Sequence, residues 1–108
     1  MSQNVKDFPN LTFTGTSTVS NAIAGMDDCE GIAIYWSSST GTTFTVQVAL
    51  DPTSTSAFGL LQSAGSDVTI TAGETLVISP CPFRQVRLLA TAASTGSLFT
   101  VAGQFPSI

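Results

Sequence analysis

Apolar and polar residues alternate along most of this chain. In "TTFTVQVAL", residues 42–50, Phe44, Val46, Val48 and Leu50 share one parity, and Thr45, Gln47 and Ala49 take the other. Side chains of an extended strand point to its two faces in turn, so the run predicts a half-buried strand. From Leu11 onward, Leu11, Phe13 and Val19 oppose Thr12, Thr14, Thr16 and Thr18. β-Branched Thr suits the exposed face of a second strand there. "GIAIYWSS", residues 31–38, sets Ile32, Ile34 and Trp36 against Ala33 and Tyr35. Shorter runs lie at Ala57–Gln62, Val68–Thr71 and Glu74–Ile78. Phe83–Ala92 gathers Val86, Leu88 and Ala90 on one face, and Leu98–Phe105 gathers Phe99, Val101 and Phe105.

The breaks between these runs carry turn chemistry. "SSTG" joins 31–38 to 42–50 and predicts a hairpin. "SAGSD" and Ala72–Gly73 mark further turns, and Pro80 and Pro82 bracket a loop. "AIAGMDDCEG", within residues 21–31, reads as a polar loop. Residues 1–10 read as an extended N-terminal arm with Phe8 and Pro9 in it, and 11–108 as a single domain. Seven or eight short strands at roughly ten-residue spacing predict an all-β chain. The expected architecture is an antiparallel β-sandwich, jelly-roll or immunoglobulin-like, with a small barrel as the other form that spacing allows. No window has a sustained helical period.

Composition changes this picture in one respect. The chain has 108 residues, enough for one modest core, and its hydrophobic fraction is 43%. Only 9% of residues are charged, against roughly 25% in ordinary soluble domains. Fourteen Ser and 16 Thr supply the surface polarity instead. Hydroxyls are cheaper to desolvate than ions, so such a surface favours assembly. The net charge is −4, and Lys6, Arg84 and Arg87 are the only cations. That is too few to neutralise a run of phosphates, so neither nucleic acid nor an anionic membrane is an expected partner. The start, "MSQNVKDFPN", has no apolar signal region, and the expectation is synthesis in a cytoplasm. In that compartment Cys29 and Cys81 are expected as two unpaired thiols.

Candidate chemistry is thin. The chain has no histidine, which removes the usual general base, histidine-based triads and most zinc sites. Cys29 sits beside Asp27, Asp28 and Glu30, whose charge disfavours a thiolate nucleophile. Those three carboxylates invite a calcium reading, but their spacing matches no EF-hand and a polar loop is favoured. Asp51, Asp67 and Glu74 each sit beside a turn, and nothing in the sequence brings two of them together for glycoside hydrolysis. "STGTT" lacks the Lys of a phosphate loop. No enzyme activity, metal or cofactor is expected. Trp36 shares parity with Ile32 and Ile34 and reads as core, which leaves Tyr35 on the other face as the surface-binding candidate. Arg84 and Arg87 are expected to point to opposite faces and each to pair with a carboxylate.

Four stretches together carry a family likeness: "TTFTVQVALDPT", "FGLLQ", "DVTITAGETLVI" and "PCPFRQVRLLATAASTGSLFTVAGQF". Over about residues 31–105 the chain resembles small structural β-sandwich proteins of tailed bacteriophages. Phe83, Arg84, Val86, Arg87 and Leu88 match that group's penultimate strand, and Gly96, Leu98 and Val101 its last. Pro52 stands where Gly is usual, and Phe58 where Trp is common. The resemblance implies a structural virion protein made in the bacterial host cytoplasm. The leading expectation is a capsid decoration or cement protein on the phage head, trimeric, with the major capsid protein as partner. Phe8, Pro9 and Leu11 are then the expected capsid- or subunit-contact residues. A virion-surface adhesion or carbohydrate-binding module, or an accessory tail protein, is the alternative.

Overall fold

A computed structural model describes residues 4–14, 17–26, 29–38, 43–51, 58–71, 74–81, 83–91 and 98–105. Among them every regular element is a strand. The front sheet has five strands. β1 (Asn4–Asp7) and β2 (Leu11–Thr12) both lie along β11 (Leu98–Phe105), followed by β3 (Gly31–Ser38) and β9 (Thr75–Ile78). The back sheet is β10 (Gln85–Ala90), β4 (Thr43–Ala49), and then β5 (Gly59–Leu60) and β8 (Thr69–Thr71), which share the far edge of β4. All pairings are antiparallel.

Residues 18–23 complete the back sheet without forming a regular strand. Val19 bridges Leu89 and Ile23 bridges Val86, and Ala90 N donates to Thr18 O at 2.7 Å. Ser20 joins this edge through its side chain: Leu88 N donates to Ser20 Oγ at 2.8 Å. Asn21 ties the two layers together. Its carboxamide accepts from Thr12 N at 2.7 Å and donates to Asn10 O at 3.0 Å.

Successive segments therefore fall front, back, front, back, back, front, back, front. The last strand, β11, lies between the first segment and β3. Among the described residues this is the alternation of a two-sheet antiparallel β-sandwich, with a strand order like that of a jelly roll. The expected hairpin between 31–38 and 42–50 is corrected by the same pairing: β3 belongs to the front sheet and β4 to the back. Their apolar faces meet across the interior, with the Trp36 and Phe44 rings 4.9 Å apart and edge-to-face. Two alternating runs joined by a short loop can stack face to face as well as pair edge to edge.

The interior is organised around Phe13, Trp36, Phe44 and Phe99, with the centroids of neighbouring rings 4.9 to 6.4 Å apart. Val46, Val86, Leu88, Ile34 and Val101 fill the remaining space and are fully buried. The parities read from sequence for 31–38, 85–90 and 98–105 are the ones that point inward, as are Phe44 and Val46 of 42–50, but that run's end departs from its reading: Ala49 is buried and Leu50 is 69% exposed. The stretch read as a polar loop also enters the core. Ile23, Met26 and Cys29 are buried there, at spacings that match no regular period. Asp27 and Asp28, the other members of its acidic cluster, lie outside the described residues.

Residues 4–12 form one long edge interrupted at Pro9. Val5 opposes Gln104 and Asp7 opposes Ala102, whereas Leu11 opposes Phe99 and Thr12 opposes Leu98. The register slips by one residue between these blocks, so odd residues face outward in β1 and inward in β2. Phe8 sits at the slip. Its N–H donates to Val101 O at 2.9 Å, and its ring lies over Gly103, where a Cβ would collide with it. A last feature leaves the sandwich altogether. Between Leu61 and Val68 the chain departs from the edge of β4 as a hairpin of β6 (Gln62–Ser63) and β7 (Ser66–Asp67). Ala64 and Gly65 turn it with φ of 53° and 83°, the left-handed pair expected of a two-residue hairpin loop.

Candidate docking face

The outer face of the front sheet is built by strand register. One row across it runs Thr75, Tyr35, Thr100, and the next runs Val77, Ala33, Ala102, Asp7. A third includes Gly31, Gln104 and Val5. These are the residues left over when Ile34, Trp36, Phe99 and Val101 turn inward. Among them Asp7 alone is charged. Val5 is 69% exposed, Val77 68% and Tyr35 50%.

The shape follows from side-chain size. Alanines occupy the middle of the second row, and Gly31 lies beside them, so the centre of the sheet is low. Val5 on β1 and Val77 on β9 stand at its two sides, and the depression between them measures about 290 Å³. Gly31 has a structural reason as well. A Cβ there would come within 3.2 Å of Ile78 O and 3.3 Å of Ser79 Cβ, so the close approach of the two segments requires glycine or a local shift. A second depression, about 440 Å³, lies between the β6–β7 hairpin and β9, floored by half-buried Leu61, Val68, Leu76 and Ile78.

The back sheet's outer face is different. Arg87, Gln47 and Leu60 form a row. Arg87 Nε donates to Gln47 Oε1 at 2.7 Å, and its guanidinium stacks 4.0 Å from the centre of the Phe58 ring. Burial lowers the pKa of this guanidinium. The expected carboxylate partner of Arg87 is thus replaced by an aromatic ring and an amide oxygen. Arg84 donates through Nη1 to Leu50 O at 3.4 Å.

The residues singled out from sequence are placed as follows. Tyr35 is on the exposed front face, and Trp36 is buried in the core. Leu11 is fully buried and packs within the chain's own interior. Phe8 is partly buried against that core, with its ring 6.0 Å from Phe105, and Pro9 is exposed. Of the arm, residues 4–7 are held as β1. Val5 and Val77 are the site residues that sequence reasoning missed. Alternation marks Val77 as facing away from Leu76 and Ile78, but Val5 lies in the arm, and only the sheet order reveals that the two share a surface.

Two acidic side chains, Asp67 and Glu74, serve local structure. Asp67 Oδ1 accepts from Gln62 Nε2 at 2.9 Å across the projecting hairpin. Glu74 Oε1 accepts from Thr71 N at 2.9 Å, and hydrogen bonds from Thr71 hold its carboxyl below its ordinary pKa. Among the described residues no group of three or more His, Cys, Asp or Glu side chains is placed to hold a metal ion. In comparisons with known proteins, no family model, curated protein or solved structure matches the chain.

Proposed function

We propose that this chain is a structural virion protein that decorates the assembled head of a tailed phage, docking through the outer face of its front sheet. The carrying observation is that face. It is a broad, charge-poor surface, low at Ala33 and Ala102, with Val5, Tyr35 and Val77 standing exposed around it. Contiguous apolar surface of this kind marks interaction sites on soluble domains. The sequence likeness to phage structural proteins supports the choice of partner, the major capsid protein, and of a homotrimer as the docking unit.

Cement action needs affinity and no bond chemistry. A protein that binds only the assembled shell stabilises it by mass action, by about 2.7 kcal/mol per site when its free concentration is a hundred times the Kd. Co-sedimentation with assembled capsid shells, compared with unassembled coat subunits, tests the reading. The wild type is expected to pellet with shells only, and Val77→Asp to weaken that binding at least tenfold. A wild type that stays in the supernatant, or a Val77→Asp protein that binds as well as the parent, overturns it.

The exposure of Tyr35 between Thr75 and Thr100 favours one second reading, a carbohydrate-binding module on the virion surface. A half-exposed phenol flanked by hydroxyls suits the apolar face and hydroxyls of a sugar. Glycan-array binding abolished by Tyr35→Ala would select this reading over capsid docking.

A further inference from the structure

Just past the end of the β3–β9 ladder the chain carries two cysteines. Ile32 opposes Ile78, Ala33 opposes Val77, Ile34 opposes Leu76 and Tyr35 opposes Thr75. Three residues beyond the last pair, Ile32–Ile78, stand Cys29 on one segment and Cys81 on the other. The structure keeps these segments side by side. A Cβ on Gly31 would lie 3.3 Å from Ser79 Cβ, and Ser79 Oγ donates to Glu30 O at 3.4 Å. Cys29 and Cys81 are each 6% exposed and belong to the same core cluster. Both are free, buried thiols of that one cluster. Cys29 Sγ also donates to Gly31 O at 3.0 Å.

A disulfide bridges Cα atoms about 4.4–6.8 Å apart, so it needs two thiols on adjoining segments, and these two lie on adjoining segments of one buried cluster. We propose that Cys29 and Cys81 are an oxidation site, closing into a cross-strand disulfide when the protein meets an oxidising medium. The co-reactant is a small-molecule disulfide. One cysteine thiolate attacks a sulfur of that disulfide, forming a mixed disulfide and expelling one small thiolate. The second cysteine thiolate attacks the mixed disulfide at the protein sulfur and expels the other. The two cysteine protons end on the two released thiols. Two protein thiols are oxidised and one small disulfide is reduced.

Burial also sets the rate. It pushes the Cys81 thiol up to about 12, with the neighbouring Cys29 thiol adding to the effect. The folded protein therefore holds almost no Cys81 thiolate at neutral pH, and exchange at that sulfur runs through opened forms. The pair stays reduced where the chain is made and closes slowly afterwards. The bond fastens the front sheet beside Cys29, where the chain enters β3. It also encloses a long loop, the condition under which a cross-link removes most freedom from the unfolded chain.

The test uses the full reduced chain incubated with oxidised glutathione, with and without urea below the unfolding transition, then quenched by alkylation. Glutamyl endopeptidase cuts after Glu30 and Glu74, leaving the cysteines on separate fragments, 1–30 and 75–108. The expected product has lost both thiols together, joins those two fragments and carries no glutathione. It forms faster in urea and raises Tm by about 10 °C, a gain that dithiothreitol reverses. Cys29→Ser and Cys81→Ser each take up one glutathione in urea and show no such gain. Stable glutathione adducts on the wild type, disulfide-linked dimers, thiols that stay free even after refolding in a glutathione redox buffer, or a bond that lowers Tm would each overturn the proposal. Shell binding plays no part in these readouts, so a chain that fails to bind capsids still decides this question.

Discussion

The two outer faces of the sandwich are made by the same alternation and end in opposite states. On the back sheet, Arg87, Gln47 and Phe58 bind one another through a 2.7 Å hydrogen bond and a 4.0 Å cation–ring contact. On the front sheet, Val5, Tyr35 and Val77 remain exposed around a low centre of alanine. The back face spends Arg87, Gln47 and Phe58 within the chain and leaves Leu60 exposed beside them, whereas the front face leaves Val5, Tyr35 and Val77 to be covered. Strand period alone treats them alike, since each is only the parity that the core did not take. What separates them is the chemistry each register brings together.

The largest disturbance removes the core that holds both faces in place. Phe44→Ala empties the centre of the aromatic cluster and should cost about 3–5 kcal/mol, read as a lower urea midpoint. Both faces should then lose their order together.

The next variant acts on the front sheet alone. Gly103→Ala drives a methyl group into the Phe8 ring and should cost about 1–3 kcal/mol. Amide exchange should speed up in β1 while β10 keeps its protection, because Phe8 anchors only the front edge.

A paired substitution then sets face against face. Arg87→Ala on the back sheet should lower stability by about 1 kcal/mol and leave docking unchanged. Val77→Asp on the front sheet should change stability by no more than about 0.5 kcal/mol while weakening capsid binding. If the back-face variant lost docking and the front-face variant kept it, the comparison would be reversed.

The smallest effect is a pH dependence. The Cys81 thiol is raised from its ordinary 9.0 to about 12. The unfolded chain thus releases that proton first as pH rises. This contribution to stability is whole below pH 9.0 and declines as pH climbs towards 12. Alkaline titration of Tm should show the decline in reduced wild type, and Cys81→Ala should remove that part of it.

Much of the core was legible before any coordinates. Ile34, Trp36, Phe44, Val46, Val86, Leu88, Phe99 and Val101 all lie on faces that alternation marks as apolar. Ile23, Met26 and Cys29 were hidden because an irregular segment buries side chains one at a time, with no period to detect. Partner choice was hidden for a different reason. The link between β3 and β4 looks like a hairpin because turn chemistry is local, while the choice between pairing and stacking depends on β11 and β10, which arrive much later in the chain. Within the candidate site, Tyr35 could be assigned a side by elimination once Trp36 was assigned to the core. Val5 needed the register of β1, which the slip at Phe8–Asn10 sets independently of β2.

The projecting hairpin from Gln62 to Asp67 has a practical side. It leaves the wall of the sandwich at Leu61 and rejoins it at Val68, where Val68 N donates to Leu61 O at 2.9 Å and closes its neck. Beyond that neck its tip shares nothing with the interior. Extra sequence spliced between Ala64 and Gly65 would hang clear of the wall, which makes this spur the natural place to splice in foreign cargo for display.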